Sequence, residues 1–149
     1  MNTAVTSAVI ATWFLGWAGH ATPDHARVAD AIAQATEGEG EARWMAAIAI
    51  RESGVRASIW GDGHHSACWA QIYVGAARSR GDWLNANPLE CGKIAVAAMR
   101  ASIVACKPGD ELGLYASGKC GTAYGARISR DRLALARSFL IPVTPEQVP

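Results

Sequence analysis

Apolar residues recur every three or four positions in several stretches of the chain, which is the spacing of one face of an α-helix. The predicted helices are 24–36, Glu41–Ser53, 92–105, Glu111–Ala116 and Ser129–Leu140. The second helix is the best defined, because Gly54 follows it in the position where glycine commonly ends a helix. β-Branched residues form few clusters, so we do not expect an all-β fold.

The stretch 55–75 departs from this helical pattern. It is rich in Gly, Ser and Asp between large apolar side chains, which predicts an irregular loop or a short β-hairpin. A further loop is predicted from Gly81 to Pro88. We therefore expect one mainly α domain of the α+β class, with a small β or irregular lobe at about 55–75.

The two ends of the chain differ from its body. No Asp, Glu, Lys or Arg occurs between Asn2 and Pro23, and the apolar segment Ala4–Gly19 has the length of a signal-peptide core. Residues 1–23 are therefore an export signal, an uncleaved anchor or an additional helix packed on the body. The domain is predicted to span 24–141, and the proline-rich stretch 142–149 is predicted to be a flexible tail.

Length and charge limit the classes of function. With 149 residues, half of them apolar, the chain is long enough for one domain with a sizeable core. Its 14 basic and 13 acidic residues give a net charge of +1, without the basic stripe of a nucleic-acid-binding protein. We therefore expect no nucleic-acid partner.

The four cysteines predict two disulfides, because an even number in a small chain is typical of proteins from oxidising compartments. The predicted helix 92–105 would hold Cys91 and Cys106 about 20 Å apart, whereas a disulfide needs Cα atoms within about 7 Å. This disfavours the pairing that joins them. Of the other pairings we favour Cys68–Cys91 with Cys106–Cys120.

Two alternatives to disulfides remain open at this stage. All four thiols are free in a cytosolic protein with a reduced core, or His64, His65 and Cys68 belong to a zinc site. The chain lacks the paired C-x-x-C spacing of structural zinc sites. We therefore expect no metal and no organic cofactor.

Glu52 is the strongest candidate for chemistry. Met45, Ile48 and Glu52 share the apolar face of their predicted helix, and Glu52 lies in its last turn, near the negative end of the helix dipole. Burial and the dipole both disfavour the ionised carboxyl. A carboxyl group that keeps its proton near neutral pH can act as a general acid. The alternative is a helix-end salt bridge to Arg51 or Arg56.

Asp62 is a candidate second carboxyl group. Glycines flank it on both sides, so its loop can turn sharply toward the end of the Glu52 helix, although a plain turn residue is the alternative. Two carboxyl groups in one cleft are the catalytic groups of most glycoside hydrolases. Trp60 and Trp69 lie in the same stretch, and we expect them to stack on sugar rings in a groove, with core packing as the alternative.

Four short segments occur in an order and at spacings that resemble a known family. They are Glu52–Gly54 (ESG), Trp60–Asp62 (WGD), Cys68–Ile72 (CWAQI) and Tyr115–Gly118 (YASG). The first resembles the catalytic Glu-Ser motif of the lysozyme-like superfamily, particularly soluble-type lytic transglycosylases, and the second is similar to a goose-type lysozyme segment. The third keeps Gln-Ile of the family's Gly-Leu-Met-Gln-Ile/Val segment. The fourth resembles Tyr-Asn-x-Gly, with alanine in place of asparagine.

The resemblance implies a lysozyme-like fold over about 26–140 and cleavage of the β-1,4 bond between N-acetylmuramic acid and N-acetylglucosamine in peptidoglycan. It implies that Glu52 is the general acid and base, that Gln71 and Tyr115 line the cleft, and that Asp62 is the second carboxylate. If Asp62 positions water, the products are hydrolytic. Otherwise the C6 hydroxyl of the muramic sugar attacks and leaves a 1,6-anhydro product. The sequence leaves both outcomes open.

The expected partners are peptidoglycan glycan strands, bound by a monomer in the periplasm or outside the cell. If a phage encodes the chain, it would be an endolysin or a virion-associated protein, and residues 1–23 could mediate association with a membrane or virion. The rival hypothesis is a structural protein of a virion or envelope that keeps the fold and binds peptidoglycan without cutting it.

Overall fold

The computed structural model describes residues 4–139. Within this range the helices are α1 Ser7–Ala18, α2 Pro23–Ala35, α3 Glu39–Ser53, α4 Arg78–Ala86, α5 Pro88–Ala105, α6 Gly113–Ser117 and α7 Ala123–Ser138. Between α3 and α4 lies an antiparallel sheet of three two-residue strands, in the order β1 Trp60–Gly61, β2 Ser66–Ala67 and β3 Ile72–Tyr73. The described chain is mainly α with a small β lobe, which confirms the predicted class.

Helix α3 lies at the centre of the core. Every residue from Met45 to Ile50 is buried, so this part of the helix is covered on all sides rather than along one stripe. Four of the buried positions on α3 are alanines, whose small side chains let neighbouring helices approach closely. Helix α7 packs against α3, while α2 packs between α1 and α5.

Capping residues determine where several helices begin and end. The hydroxyls of Thr6, Thr22 and Thr122 accept backbone N–H bonds at the first turns of α1, α2 and α7, respectively. Gly54 and Gly118 follow α3 and α6 with left-handed backbone conformations. The structure confirms the expectation that Gly54 ends its helix, and Gly118 ends α6 in the same way.

The predicted loop Gly81–Pro88 was wrong, and so were the predicted starts of the helices at 92 and Ser129, since α5 begins at Pro88. Residues Arg78–Ala86 form helix α4, whereas a loop was predicted from Gly81 to Pro88. Gly81 serves packing here, since a Cβ at this position would lie 1.9 Å from the ring of Trp60. Helix α7 also begins well before Ser129, at Ala123, because the Thr122 cap starts it.

The N-terminal segment contains helix α1. Its side chains Ile10, Trp13 and Phe14 are buried in the same core as α2 and α3. Within residues 4–139, none of the helices has both the length and the apolar character required to span a membrane. The predicted tail 142–149 and the predicted helix end at Leu140 lie outside the described residues.

The disulfides are Cys68–Cys91 and Cys106–Cys120, as predicted. Helix α5 runs without interruption between Cys91 and Cys106. It therefore keeps these two cysteines too far apart to form a disulfide, as the predicted helix indicated. Because Cys68 is disulfide-bonded, the zinc-site alternative is wrong, and so is the alternative of free thiols. Two disulfides indicate an oxidising compartment.

Candidate active site

A cleft of about 830 Å³ lies between the β lobe and the helices α3, α5, α6 and α7. Four of the predicted site residues line it: Glu52, Asp62, Gln71 and Tyr115. They come from the end of α3, the turn after β1, the turn before β3 and the middle of α6. The fold thus brings together side chains that lie far apart in the sequence.

Glu52 reaches the cleft from the last turn of α3, and its side chain is 27% exposed. Arg132 on α7 donates from Nη2 to Glu52 Oε1 at 3.0 Å. The salt bridge expected from Arg51 or Arg56 is therefore replaced by one from another helix. Arg51 donates to Asp131, and Arg56 donates to the carbonyl of Ser53.

Arg132 is itself held in place, since its side chain is only 11% exposed. Its Nη1 donates to Asp131 Oδ2 at 2.8 Å, and Arg51 donates to both oxygens of the same carboxylate at 3.0 and 3.2 Å. The result is a chain of alternating charges along α3 and α7. The cation that contacts Glu52 is thus itself anchored to a second carboxylate.

Asp62 lies in a 3₁₀ turn between β1 and β2, at the mouth of the cleft. Its backbone is left-handed, with φ 50°, and the flanking Gly63 has φ 62°. Ser66 Oγ donates to Asp62 Oδ2 at 2.7 Å, which fixes the orientation of the carboxylate. Asp62 is thus both a turn residue and a cleft residue, so the two interpretations are compatible.

Gln71 lies across the floor of the β lobe. Its Nε2 donates to the carbonyl of Cys68 at 3.0 Å, and its Oε1 contacts the backbone of Gly61 so closely that a Cβ there would lie 1.9 Å away. A side chain at position 61 would therefore have to displace the Gln71 amide and its hydrogen bond to Cys68. This contact accounts for a glycine between Trp60 and Asp62.

Strained backbone is concentrated around the cleft. Within residues 4–139, the non-glycine residues with positive φ are Val55, Asp62, His64, Cys68 and Gln71. All fall in one short stretch, and two of them line the cleft. Left-handed conformations cost free energy for residues other than glycine, and such strain clusters at functional sites.

Tyr115 joins α6 to the β lobe. Its hydroxyl donates to the carbonyl of Ala70 at 2.9 Å, and its backbone N–H donates to the hydroxyl of the buried Ser102. Burial raises the pKa of Tyr115, the negative charge of Glu52 raises it further, and the charge of Arg132 lowers it by less. Tyr115 is therefore a neutral donor beside the candidate acid.

The structure corrects the expectation for the two tryptophans. Trp69 is completely buried, its Nε1 donates to the carbonyl of Pro88 at 2.9 Å, and its ring packs against Gly92. Trp60 is half-buried, with its ring between Arg78 and Gly81. Neither ring is among the residues that line the cleft.

Two tyrosines, rather than the tryptophans, present exposed rings at the cleft. Tyr73 is 75% exposed and Tyr124 is 51% exposed, and both line the cleft. Tyr73 could have been found from the sequence, because it lies two residues after Gln71 in the lobe that the sequence singled out. Tyr124 gave no such signal, since the start of α7 was not predicted.

No known protein family, curated protein or solved structure matches this chain.

Proposed function

We propose that this protein is a peptidoglycan glycosidase, a muramidase or lytic transglycosylase with Glu52 as the general acid and base. The observation that supports this most directly is the shared cleft of Glu52 and Asp62, with Gln71 and Tyr115 on its walls. These are the residue types that the lysozyme-like resemblance implies, in the same order along the chain. We propose likewise that the fold is lysozyme-like.

In the proposed reaction Glu52 protonates the glycosidic oxygen while the C1–O bond breaks and positive charge develops at the sugar. The Glu52 carboxylate then accepts a proton from the attacking water or C6 hydroxyl while the oxygen of that group bonds to C1, which restores the acid. Arg132, 3.0 Å from Glu52, stabilises the carboxylate in this second step. If Asp62 positions water the product has a reducing end, and if the muramic C6 hydroxyl attacks the product is 1,6-anhydro.

The walls of the cleft suit a polysaccharide. Aromatic rings stack on the faces of pyranose sugars and supply a large contact area, and the exposed rings of Tyr73 and Tyr124 are available for this. The Gln71 side chain adds a polar group on the same wall. The mouth of the cleft, where the exposed Asp62 lies, is open to solvent. A long glycan chain could not enter a closed cavity, so this opening suits such a substrate.

The proposed substrate fits the oxidising compartment that the disulfides indicate. Peptidoglycan lies outside the cytoplasmic membrane, so we place the protein in the periplasm or outside the cell, acting as a monomer. If a phage encodes it, the corresponding site of action is the host wall, reached as an endolysin or as part of the virion. In either case the partner is the glycan strand.

Digestion of purified peptidoglycan, with mass spectrometry of the released fragments, tests the proposal. Reducing ends would identify a hydrolase and 1,6-anhydro ends a transglycosylase, and either result supports glycosidase activity. The control is the Glu52→Gln variant under the same conditions. Absence of any released muropeptide from the wild-type protein would contradict the enzymatic function.

The second candidate is a protein that binds peptidoglycan without cutting it. The observation that favours it is the ion pair of Glu52 with the nearly buried Arg132, because this contact occupies one oxygen of the carboxyl group that would have to reach the glycosidic bond. Binding to peptidoglycan with no fragment release by the wild-type protein would establish this candidate.

A further inference from the structure

The first two turns of α7 form one rim of the cleft. Tyr124 lines the cleft there, and the side chain of Arg127 is exposed one turn further along the helix. The guanidinium carbon of Arg127 lies 5.3 Å from the centre of the Tyr124 ring. This contact holds a cation over one face of an exposed aromatic ring at the edge of the candidate site and leaves the opposite face for a ligand.

The charges around this rim leave Arg127 open to a ligand. Arg132, which contacts the cleft residue Glu52, is already bonded to Glu52 and Asp131. Along α7 the first acidic residue is Asp131, and within residues 4–139 Arg127 has no ion pair with a carboxylate. An exposed guanidinium without a carboxylate partner is suited to bind one in a forked geometry.

We propose that Tyr124 and Arg127 form a subsite for a sugar that carries a carboxylate, with the ring of Tyr124 under the pyranose and Arg127 on the carboxylate. This inference rests on the proposed function. In peptidoglycan only the muramic sugar bears such a group, either as its own lactyl carboxylate or through the acidic peptide attached to it. The subsite would therefore distinguish muramic acid from N-acetylglucosamine and fix the register of the strand.

The test measures binding in the Glu52→Gln background, so that the polymers stay intact. Three insoluble polymers are compared by co-sedimentation: peptidoglycan with its peptides, peptidoglycan stripped of peptides by an amidase, and chitin. Adding Arg127→Ala should weaken binding to a carboxylate-bearing polymer by about two- to fivefold at low salt. Binding to chitin should not change, and the difference should shrink at high salt because exposed charges are screened.

Three further variants isolate the causes. Arg137→Ala removes an exposed cation about 15 Å further along α7 and should bind like the parent. Arg127→Lys keeps the charge without the planar fork and should recover part of the lost affinity. Tyr124→Ala should weaken binding of all three polymers by about two- to tenfold, because the ring stacks on any pyranose.

The outcomes separate the proposals. A loss confined to peptide-bearing strands identifies the peptide carboxylates as the ligand, and a loss that persists on stripped strands identifies the lactyl carboxylate. Equal binding of all polymers with and without Arg127→Ala overturns the subsite but leaves the glycosidase proposal intact. If the Glu52→Gln parent binds none of the polymers while the wild-type protein releases no fragments, the proposed function fails and the subsite with it.

Discussion

Replacing Glu52 with glutamine separates catalysis from folding at this site. Glutamine has nearly the same shape, but it carries no transferable proton and no charge. If Glu52 is the general acid, cleavage should fall by the 10²–10⁴-fold, as an order of magnitude, that general acid–base groups contribute. Binding to the glycan should persist, because the cleft walls and the tyrosine rings are unchanged.

The effect on stability follows from the Arg132 contact. From the helix environment alone, glutamine should fold at least as well as glutamate, because a partly buried charge is removed. The structure reverses this expectation, since the 3.0 Å contact from Arg132 changes from an ion pair to a hydrogen bond with a neutral acceptor. Such bonds differ by about 1 kcal/mol, which corresponds to a Tm lower by about 2–4 °C for a domain of this size.

Arg132 is not left without a partner in this variant, because its bond to Asp131 remains. The decrease in the free energy of unfolding should therefore lie near the lower end of the values found when one partner of a charge pair is removed. A double-mutant cycle with Arg132→Gln should return a coupling free energy of about 1 kcal/mol between the two side chains. A coupling free energy near zero would show that the ion pair does not stabilise the fold. It would refute the expectation that Glu52→Gln lowers the Tm.

Three measurements complete the experiment: clearing of a peptidoglycan suspension, co-sedimentation with the same material, and thermal melting followed by circular dichroism. The matched control is Glu90→Gln, which breaks the exposed ion pair with Lys93 and should leave clearing unchanged. If Glu52→Gln still clears peptidoglycan at more than a few per cent of the wild-type rate, Glu52 is not the acid.

Gly61→Ala should lower both Tm and clearing, because the new Cβ would lie 1.9 Å from the Gln71 amide oxygen; normal melting would contradict this. Asp62→Asn should reduce hydrolysis by roughly 10²–10⁴-fold if Asp62 positions water, and unchanged release of reducing ends would exclude that role. Burial lowers the pKa of His25 below its ordinary 6.5, with His20 adding to the shift. Because the unfolded chain binds the proton more readily, Tm should fall as the pH drops below 6.5, and His25→Gln should flatten this profile.

Local patterns predicted much of the fold. The apolar spacing located α2, α3 and α5, and the rise per residue of a straight helix was enough to exclude one disulfide pairing. The glycines that end α3 and α6 were recognisable because a left-handed C-terminal residue is a local property. Helix α4 was missed because Gly81 looks like a loop residue until the ring of Trp60 is placed against it.

Local patterns also identified some residues of the candidate site and missed others. Glu52 could be found because its position on an apolar helix face is conspicuous, and Asp62 because glycines flank it. The burial of Trp69 depends on a hydrogen bond to Pro88 across the lobe, which no local pattern encodes. Arg132 was missed for the same reason: it meets Glu52 only because α7 packs against α3.

The bonds that hold the cleft together are long-range as well. Cys68–Cys91 ties the β lobe to α5, and Cys106–Cys120 ties the end of α5 to the loop that precedes α7. The Tyr115 hydroxyl joins α6 to the β lobe between these two tethers. Preorganised side chains need such a rigid frame, since small displacements of an acid from its substrate reduce catalysis. Each element that contributes a candidate catalytic residue is therefore linked to another by a disulfide, a buried hydrogen bond or an ion pair.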